Sequence, residues 1–412
     1  MVKRILMIAY HFPPLQGSSG IQRTLRFAQH LPKFGWQPII LTANTKAYEN
    51  VNNTQLSEMI DQIPVYRSFA LDTARHLSIL KRYPRVLAVP DRWVTWWLGA
   101  VPKGLSLIKA AKPDVIWSTF PIATAHLIGY TLSRITGLPW VADFRDPMVQ
   151  PGYPPNPLVY RSYQWIEQQT ISYSSQTVFT TPGTKKDYMQ RFPTIPESRF
   201  SLIENGYDEK SFSDALPQKR SQQSKQLILV HSGIIYPSER DPTIFFEALS
   251  DLLSGKLISS DNLKIVLRAS YNDNFLQQLI KRYKIESIIS LAPPIPYKEA
   301  IAEMLSADGL IVLQASNCNN QIPAKLYEYL RAQKPILALT DPEGDTALKL
   351  KSLGFNTIAR LDSKQNIMEM IQKYLILVRE ESAEVIPMDQ LFLNSREAKT
   401  AELASILEEI IK

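Results

Sequence analysis

Cysteine is almost missing from this chain: Cys318 is the only one in 412 residues. One thiol can neither close an internal disulfide nor build a thiolate zinc site, so nothing in the thiol content marks a secreted protein. No stretch of about 18 apolar residues occurs, which excludes a spanning helix. Runs of five or more like charges are absent, as are nucleic-acid motifs. The net charge of +7 therefore points to phosphorylated small molecules or an anionic surface, not to nucleic acid. Metal-ligand spacings such as His-Glu-x-x-His are lacking, and so is the Gly-x-Ser-x-Gly elbow of hydrolases. His30, His76 and His126 fall inside helical patterns and read as structural. The apolar run near the N-terminus, Ile5 to Ala9, is shorter than the roughly 7–15 residues of a signal peptide. Tyr10-His11 follows it without a small-residue cleavage site, so it reads as a buried first strand.

What is present is a rhythm of short apolar runs between longer amphipathic ones. The length favours two or three domains. Ile5 to Ala9, Gln37 to Thr42, Val115 to Trp117 and Trp140 to Ala142 read as strands, with helices over 21–34 and 122–136. Continuous apolar strands separated by helices predict a parallel sheet covered on both faces. The polar stretch Ser211 to Lys225 has little to bury and reads as a linker, which sets a first domain at 1–210 and a second at 211–392. Beyond it, strands are expected at Leu227 to Val230, Leu263 to Leu267, Asp308 to Leu313 and Pro335 to Leu339. Helices are expected over 242–253, 323–332 and 395–411. The fold class is α/β: two Rossmann-like doubly wound sheets in series, which bind ligands at the carboxyl ends of their strands and make one cleft where they face each other. The segment 86–110, with Trp93, Trp96 and Trp97 among basic residues, has two readings: a membrane-surface helix or a core-packing helix.

Five groups of residues can carry chemistry. The loop 11–20 ends in Gly17-Ser18-Ser19-Gly20, where glycines let backbone amides turn toward an anion at a helix start. Asp143-Phe144-Arg145-Asp146 places three charges at the end of an apolar strand. Asp143 and Arg145 are candidate catalytic groups there, and an internal ion pair of Arg145 with Asp143 or Asp146 is the alternative. Asn205-Gly206 is a turn former. His231-Ser232-Gly233 follows a strand, with Arg240 close behind as a fork for phosphate oxygens. Finally, Lys325 and Glu328 share a helical face after Pro323. The helix offers an ammonium for a phosphate and a carboxylate for a ribose, or simply a surface ion pair.

These motifs, in this order, resemble glycosyltransferase family four, of the GT-B fold, in the branch with Ala-Asp-Phe-Arg-Asp-Pro. The resemblance covers nearly the whole chain. It implies Arg240 and Lys325 as the cations that stabilise the leaving diphosphate. It implies a donor site of Gly17, Ser18, Ser19, Gly20, Asn205, Gly233, Asn320, Pro323, Glu328 and Tyr329, and no metal or other cofactor. The pattern departs at Asn320, where the family has a glutamate, and at Ile234, where it has an arginine. The implied activity is retaining transfer of a sugar from a nucleoside-diphosphate sugar, UDP being the commonest carrier, to a glycan or lipid-linked acceptor. The implied setting is cell-surface polysaccharide or glycoconjugate synthesis, in the cytoplasm or at the inner face of the membrane. The last helix, within 393–412, is implied to pack back on the acceptor-binding first domain. Two alternatives stay open: a non-catalytic partner subunit on the same fold, and a sugar-nucleotide epimerase, which would need an acid and base pair not evident in the sequence.

Overall fold

The computed structural model describes residues 2–15, 20–51, 63–78, 80, 82–217 and 226–412. It contains two all-parallel sheets. The first runs β3-β2-β1-β4-β5-β6-β7, built from β1 (Lys3–Ile8), β2 (Trp36–Ala43), β3 (Val65–Ser68), β4 (Val115–Thr119), β5 (Trp140–Arg145), β6 (Gln176–Phe179) and β7 (Phe200–Leu202). The second runs β10-β9-β8-β11-β12-β13, built from β8 (Leu227–Ser232), β9 (Leu263–Arg268), β10 (Ile289–Ala292), β11 (Gly309–Leu313), β12 (Ile336–Leu339) and β13 (Ile358–Ala359). The second is the 3-2-1-4-5-6 order of doubly wound domains, and the first is the same order with a seventh strand added beyond β6; in both the order reverses between the first and fourth strands, where a ligand crevice opens at the carboxyl ends.

Each sheet is buried on both faces, and strand alternation divides its apolar residues between two cores. In the first sheet Leu6, Ile8, Leu41 and Ile116 join one core. Ile5, Met7, Ile40 and Trp117 join the other. The second sheet does the same, with Leu229, Ile265, Ile311 and Leu337 on one side and Val230, Leu310, Val312 and Ala338 on the other.

The chain divides into two compact units, one of Met1–Asn205 with Arg396–Lys412, the other Gly206–Ser395. The chain leaves the first unit just before the polar stretch read as a linker. The helix Glu209–Ser213 already belongs to the second unit, because Phe212 is buried in its core. The helix Arg396–Ile410 packs on the helix Gly20–His30 and buries Leu403, Ala404 and Leu407 in the first unit. Trp36 Nε1 donates to Glu408 at 3.0 Å, and Lys33 pairs with Glu397 at 2.8 Å.

The tryptophans of the segment 86–110 pack in the core, as the core-packing reading expects, while Val86, Leu87 and Leu98 stay exposed. Trp96 is fully buried in the helix Thr95–Ala111, and Trp93 and Trp97 pack against the same core. Gly99 allows the close approach: a Cβ there would lie 2.4 Å from the Phe69 carbonyl oxygen. Backbone cannot yield as a side chain can, so Gly99→Ala is expected to cost about 1–3 kcal/mol of stability, measured by urea unfolding. Among the described residues no helix is long and apolar enough to cross a membrane.

Candidate functional site

In the second unit β8 delivers His231 and Ser232 to the carboxyl edge, beside β11 at the point where the strand order reverses. Gly233 then turns with φ of +114°. That backbone, and the space above it, need glycine: a Cβ would come within 2.9 Å of the Lys325 ammonium. Lys325 opens the helix Lys325–Ala332, and its Nζ lies 3.1 Å from His231 Nε2. His231 Nδ1 lies 2.9 Å from the Ile311 carbonyl oxygen, which can only accept, so Nδ1 carries the proton. Nε2 then presents its lone pair to the ammonium. Burial, followed by the Lys325 charge, holds His231 well below the usual histidine range and keeps it neutral.

Arg240 ends the short helix Pro237–Arg240, donates through Nη1 to the Ile234 carbonyl at 2.7 Å and lies over the Tyr236 ring. Burial first, and the Arg240 charge second, push the Lys325 ammonium down to about 7, against the opposing pull of Glu328. Two cations thus crowd one space, with Glu328 as the nearby acid, and Glu328 accepts a hydrogen bond from Tyr297 at 2.7 Å. An anion entering that space would relieve both cations.

Tyr329 stands differently from its expected role. Its side chain is fully buried, and its hydroxyl accepts from the Ser232 backbone N–H at 2.9 Å, so it fixes the end of β8 instead of facing a ligand. Pro323 precedes the helix and is not its first residue, because Ala324 is the N-cap. Asn320 is exposed in the preceding turn. The structure therefore gathers His231, Gly233, Arg240, Lys325 and Glu328 in the second unit. Gly20, Asp143, Arg145 and Asn205 belong to the first, and Gly17, Ser18 and Ser19 lie outside the described residues.

In the first unit Asp143 is tied up. It is wholly buried, and Arg23 donates to both its oxygens, Nε at 2.9 Å to Oδ2 and Nη2 at 2.9 Å to Oδ1. Thr119 adds a third donor at 3.0 Å. The counter-ion of Asp143 is Arg23 and not Arg145, so Asp143 has no face left for catalysis, whereas Arg145 has Asp146 as its leading charge partner. Arg23 also holds the carbonyls of Ile203 and Glu204, each at 3.0 Å. Arg145 instead follows a register shift in β5, with φ of +61°, and this bulge swings its side chain away from the pair. Its buried Nε has no partner, and its charge, after burial, helps hold His11 down to about 4. His11 and Asp146 both face the Arg145 charge at this edge, and the pairing of His11 with Arg145 is one that residues so far apart in sequence do not announce.

Residues 19–206 match the family model described as glycosyl transferase 4-like domain. No curated protein matches the chain in sequence. Among solved structures, sucrose-phosphate synthase from Thermosynechococcus elongatus superposes with a TM-score of 0.68 at 13% identity, over 99% of each chain. This is the GT-B fold. HepE from Anabaena, solved with UDP and glucose, shares it at a TM-score of 0.64 and 14% identity, over 99% of this chain and 100% of that one. A putative UDP-N-acetylglucosamine 2-epimerase from Listeria monocytogenes shares it at 0.59 and 11%, over 99% and 96%. The GT-B scaffold thus serves more than one chemistry on nucleotide sugars, and the side chains must decide among them.

Proposed function

We propose that the chain is a retaining glycosyltransferase. It moves a sugar from a nucleoside-diphosphate sugar, UDP being the favoured carrier, to a glycan or lipid-linked acceptor in glycoconjugate or cell-surface polysaccharide synthesis. The observation that carries this reading is a buried Lys325 ammonium packed against the Gly233 turn and facing the Arg240 charge, with burial first and Arg240 second pushing the lysine down to about 7. A diphosphate is the ligand that such a pair accommodates. As the bond to the anomeric carbon breaks, negative charge grows on the departing diphosphate, and preorganised cations stabilise that charge more than the ground state. Glu328, oriented by Tyr297, is assigned the ribose hydroxyls. Arg240 and Lys325 are assigned this charge. The first unit, with His11 and Arg145, is assigned the acceptor. The likeness of residues 19–206 to glycosyl transferase 4-like domains supports transfer.

The deciding experiment incubates the protein with a panel of nucleotide sugars, with and without glycan and lipid-linked acceptors, and follows both products. Transfer with the anomeric configuration kept is expected. Isomerised sugar from donor alone would make the protein an epimerase, and nucleotide binding without product would make it a partner subunit.

Lys325 also sets a pH dependence. Free, it titrates at about 7; beside a bound diphosphate its pKa rises, so the complex holds more protons than the free protein. Affinity for UDP is therefore highest below about pH 7 and falls as pH rises, approaching tenfold per unit above about pH 8. Calorimetry in buffers of different ionisation heat should show proton uptake on UDP binding near pH 8, and Lys325→Ala should abolish it.

A further inference from the structure

The β8–β11 ladder is paired at Leu229 with Gly309 and at Val230 with Leu310, and goes no further. His231 follows where the ladder lapses, and its imidazole reaches across to the Ile311 carbonyl at 2.9 Å. The side chain is wholly buried. With Nδ1 protonated and donating there, the ring has one lone pair, on Nε2, which meets the Lys325 ammonium at 3.1 Å. The other groups that face the ring are Arg240 and the Gly233 backbone. The Ile311 and Gly233 backbones favour a protonated ring, but burial and the two cations oppose it and prevail, so Nε2 keeps its lone pair. A ring that only filled space at a strand end would need neither bond.

Lys325 and Tyr329 are four apart and share a helix face. Their partners, His231 and Ser232, are consecutive in β8, with the Tyr329 hydroxyl accepting from the Ser232 N–H at 2.9 Å. The strand end thus sets the register of the helix's first turn. Gly233 leaves the space that the ammonium occupies. Among the described residues Nε2 is the only hydrogen-bond acceptor of Lys325, while Arg240 repels the ammonium and Glu328 attracts it through charge. An ammonium that faces a guanidinium turns away toward water unless something holds it, and the imidazole is the group bonded to it.

We propose that His231 is the positioning residue of this site: its Nε2 holds the Lys325 ammonium against the Arg240 charge and aims its remaining N–H donors before a diphosphate arrives. The contact stands on the geometry; that the ligand is a diphosphate rests on the transferase reading. The three ammonium protons turn together about the Cε–Nζ bond, so fixing one fixes the other two. Lysine loses more rotamer freedom on ordering than most side chains, and an ammonium already aimed has less to lose when the ligand binds. Preorganisation counts most where charge grows during reaction, so loss of the lone pair should lower kcat more than it raises KM.

The test uses the full chain as His231→Asn and His231→Gln. The Asn amide stands where Nδ1 stands and can keep the bond to Ile311, but it does not reach the ammonium; the Gln amide extends to the place of Nε2 and returns an acceptor to it. The first readout needs no ligand: acetic anhydride labelling of Lys325 across pH, followed by peptide mass spectrometry, gives the midpoint at which it titrates. The parent is expected at about 7. In His231→Asn the released ammonium turns out toward water, and the midpoint rises by roughly one pH unit or more toward the ordinary lysine value of about 10.4. His231→Gln returns it toward the parent. The second readout is donor turnover: kcat falls roughly tenfold in His231→Asn while KM changes less than about threefold, and His231→Gln recovers most of kcat. A third readout uses only the parent and Lys325→Ala and decides the matter if the His231 variants do not fold. Nitrogen-15 NMR of the labelled imidazole should show Nδ1 protonated in both and Nε2 hydrogen-bonded only in the parent. An unchanged or lowered Lys325 midpoint in folded His231→Asn, equal losses in the Asn and Gln variants, or an Nε2 signal indifferent to Lys325→Ala would each overturn the proposal. A parent that transfers no sugar yet gives the labelling and NMR results overturns the transferase reading and leaves this contact standing.

Discussion

Lys325→Ala is expected to lower turnover of the nucleotide-sugar donor by about 10²–10³, the usual loss when one preorganised charge-stabilising donor is removed. The fold should hardly notice. His231 Nε2, wholly buried, loses its donor, a cost of about 1–3 kcal/mol, and removal of a buried ammonium together with its repulsion from Arg240 offsets that cost. The check is kcat and kcat/KM for the donor beside a urea-unfolding curve. Turnover within a few-fold of the parent, at unchanged stability, would take Lys325 out of the reaction and the diphosphate assignment with it. Gly233 belongs to the same argument, because the ammonium occupies the volume its missing Cβ would fill.

The second large effect is on stability. Arg23→Met removes a guanidinium that makes charge-assisted bonds to both oxygens of Asp143 and also holds the Ile203 and Glu204 carbonyls. Asp143 remains behind as a carboxylate with no surface exposed and only Thr119 for support. Stranding one partner of a buried pair costs about 3–5 kcal/mol, whereas replacing both by neutral groups costs far less. Arg23→Met should thus unfold at markedly lower urea, and adding Asp143→Asn should recover part of the loss. A single variant within about 1 kcal/mol of the parent would show that solvent reaches Asp143 and that the clamp is not what holds this edge together. The coupling in the double-mutant cycle is the direct measure of the pair.

Both predictions concern residues that the sequence treats unequally. The central strands were legible because they are buried on both faces and read as continuous apolar runs: Ile5–Ile8, Ile39–Leu41, Leu310–Leu313 and Ile336–Leu339 all lie in the cores. The strands toward the sheet edges were not. Val65–Ser68 carries Arg67 and a half-exposed Tyr66, Gln176–Phe179 begins with two polar residues, and Ile358–Ala359 is two residues long. Neither period nor apolar content distinguishes such segments from loops. At the site, Gly233, Arg240, Lys325 and Glu328 were visible as residue types near element ends. The bonds that define them were not: His231 and Lys325 are 94 positions apart and Arg23 and Asp143 are 120 apart. Asp143 was misread for this reason. Local reasoning offered Arg145 as its counter-ion, and only the register shift and left-handed backbone at Arg145 send that side chain elsewhere. Tyr329 was misplaced by the opposite route, since proximity in sequence to Lys325 and Glu328 says nothing about which helix face meets β8.

The closing helix has a bearing on how the protein comes off the ribosome. Leu403, Ala404 and Leu407 are core residues of the lobe that is synthesised first. That lobe must wait with an uncovered apolar flank while some 190 intervening residues are made, so it is completed after the lobe inserted in it. The inserted lobe, Gly206–Ser395, is continuous and carries no such delay. Truncation before Leu403 would therefore harm the lobe that begins the chain, not the inserted one.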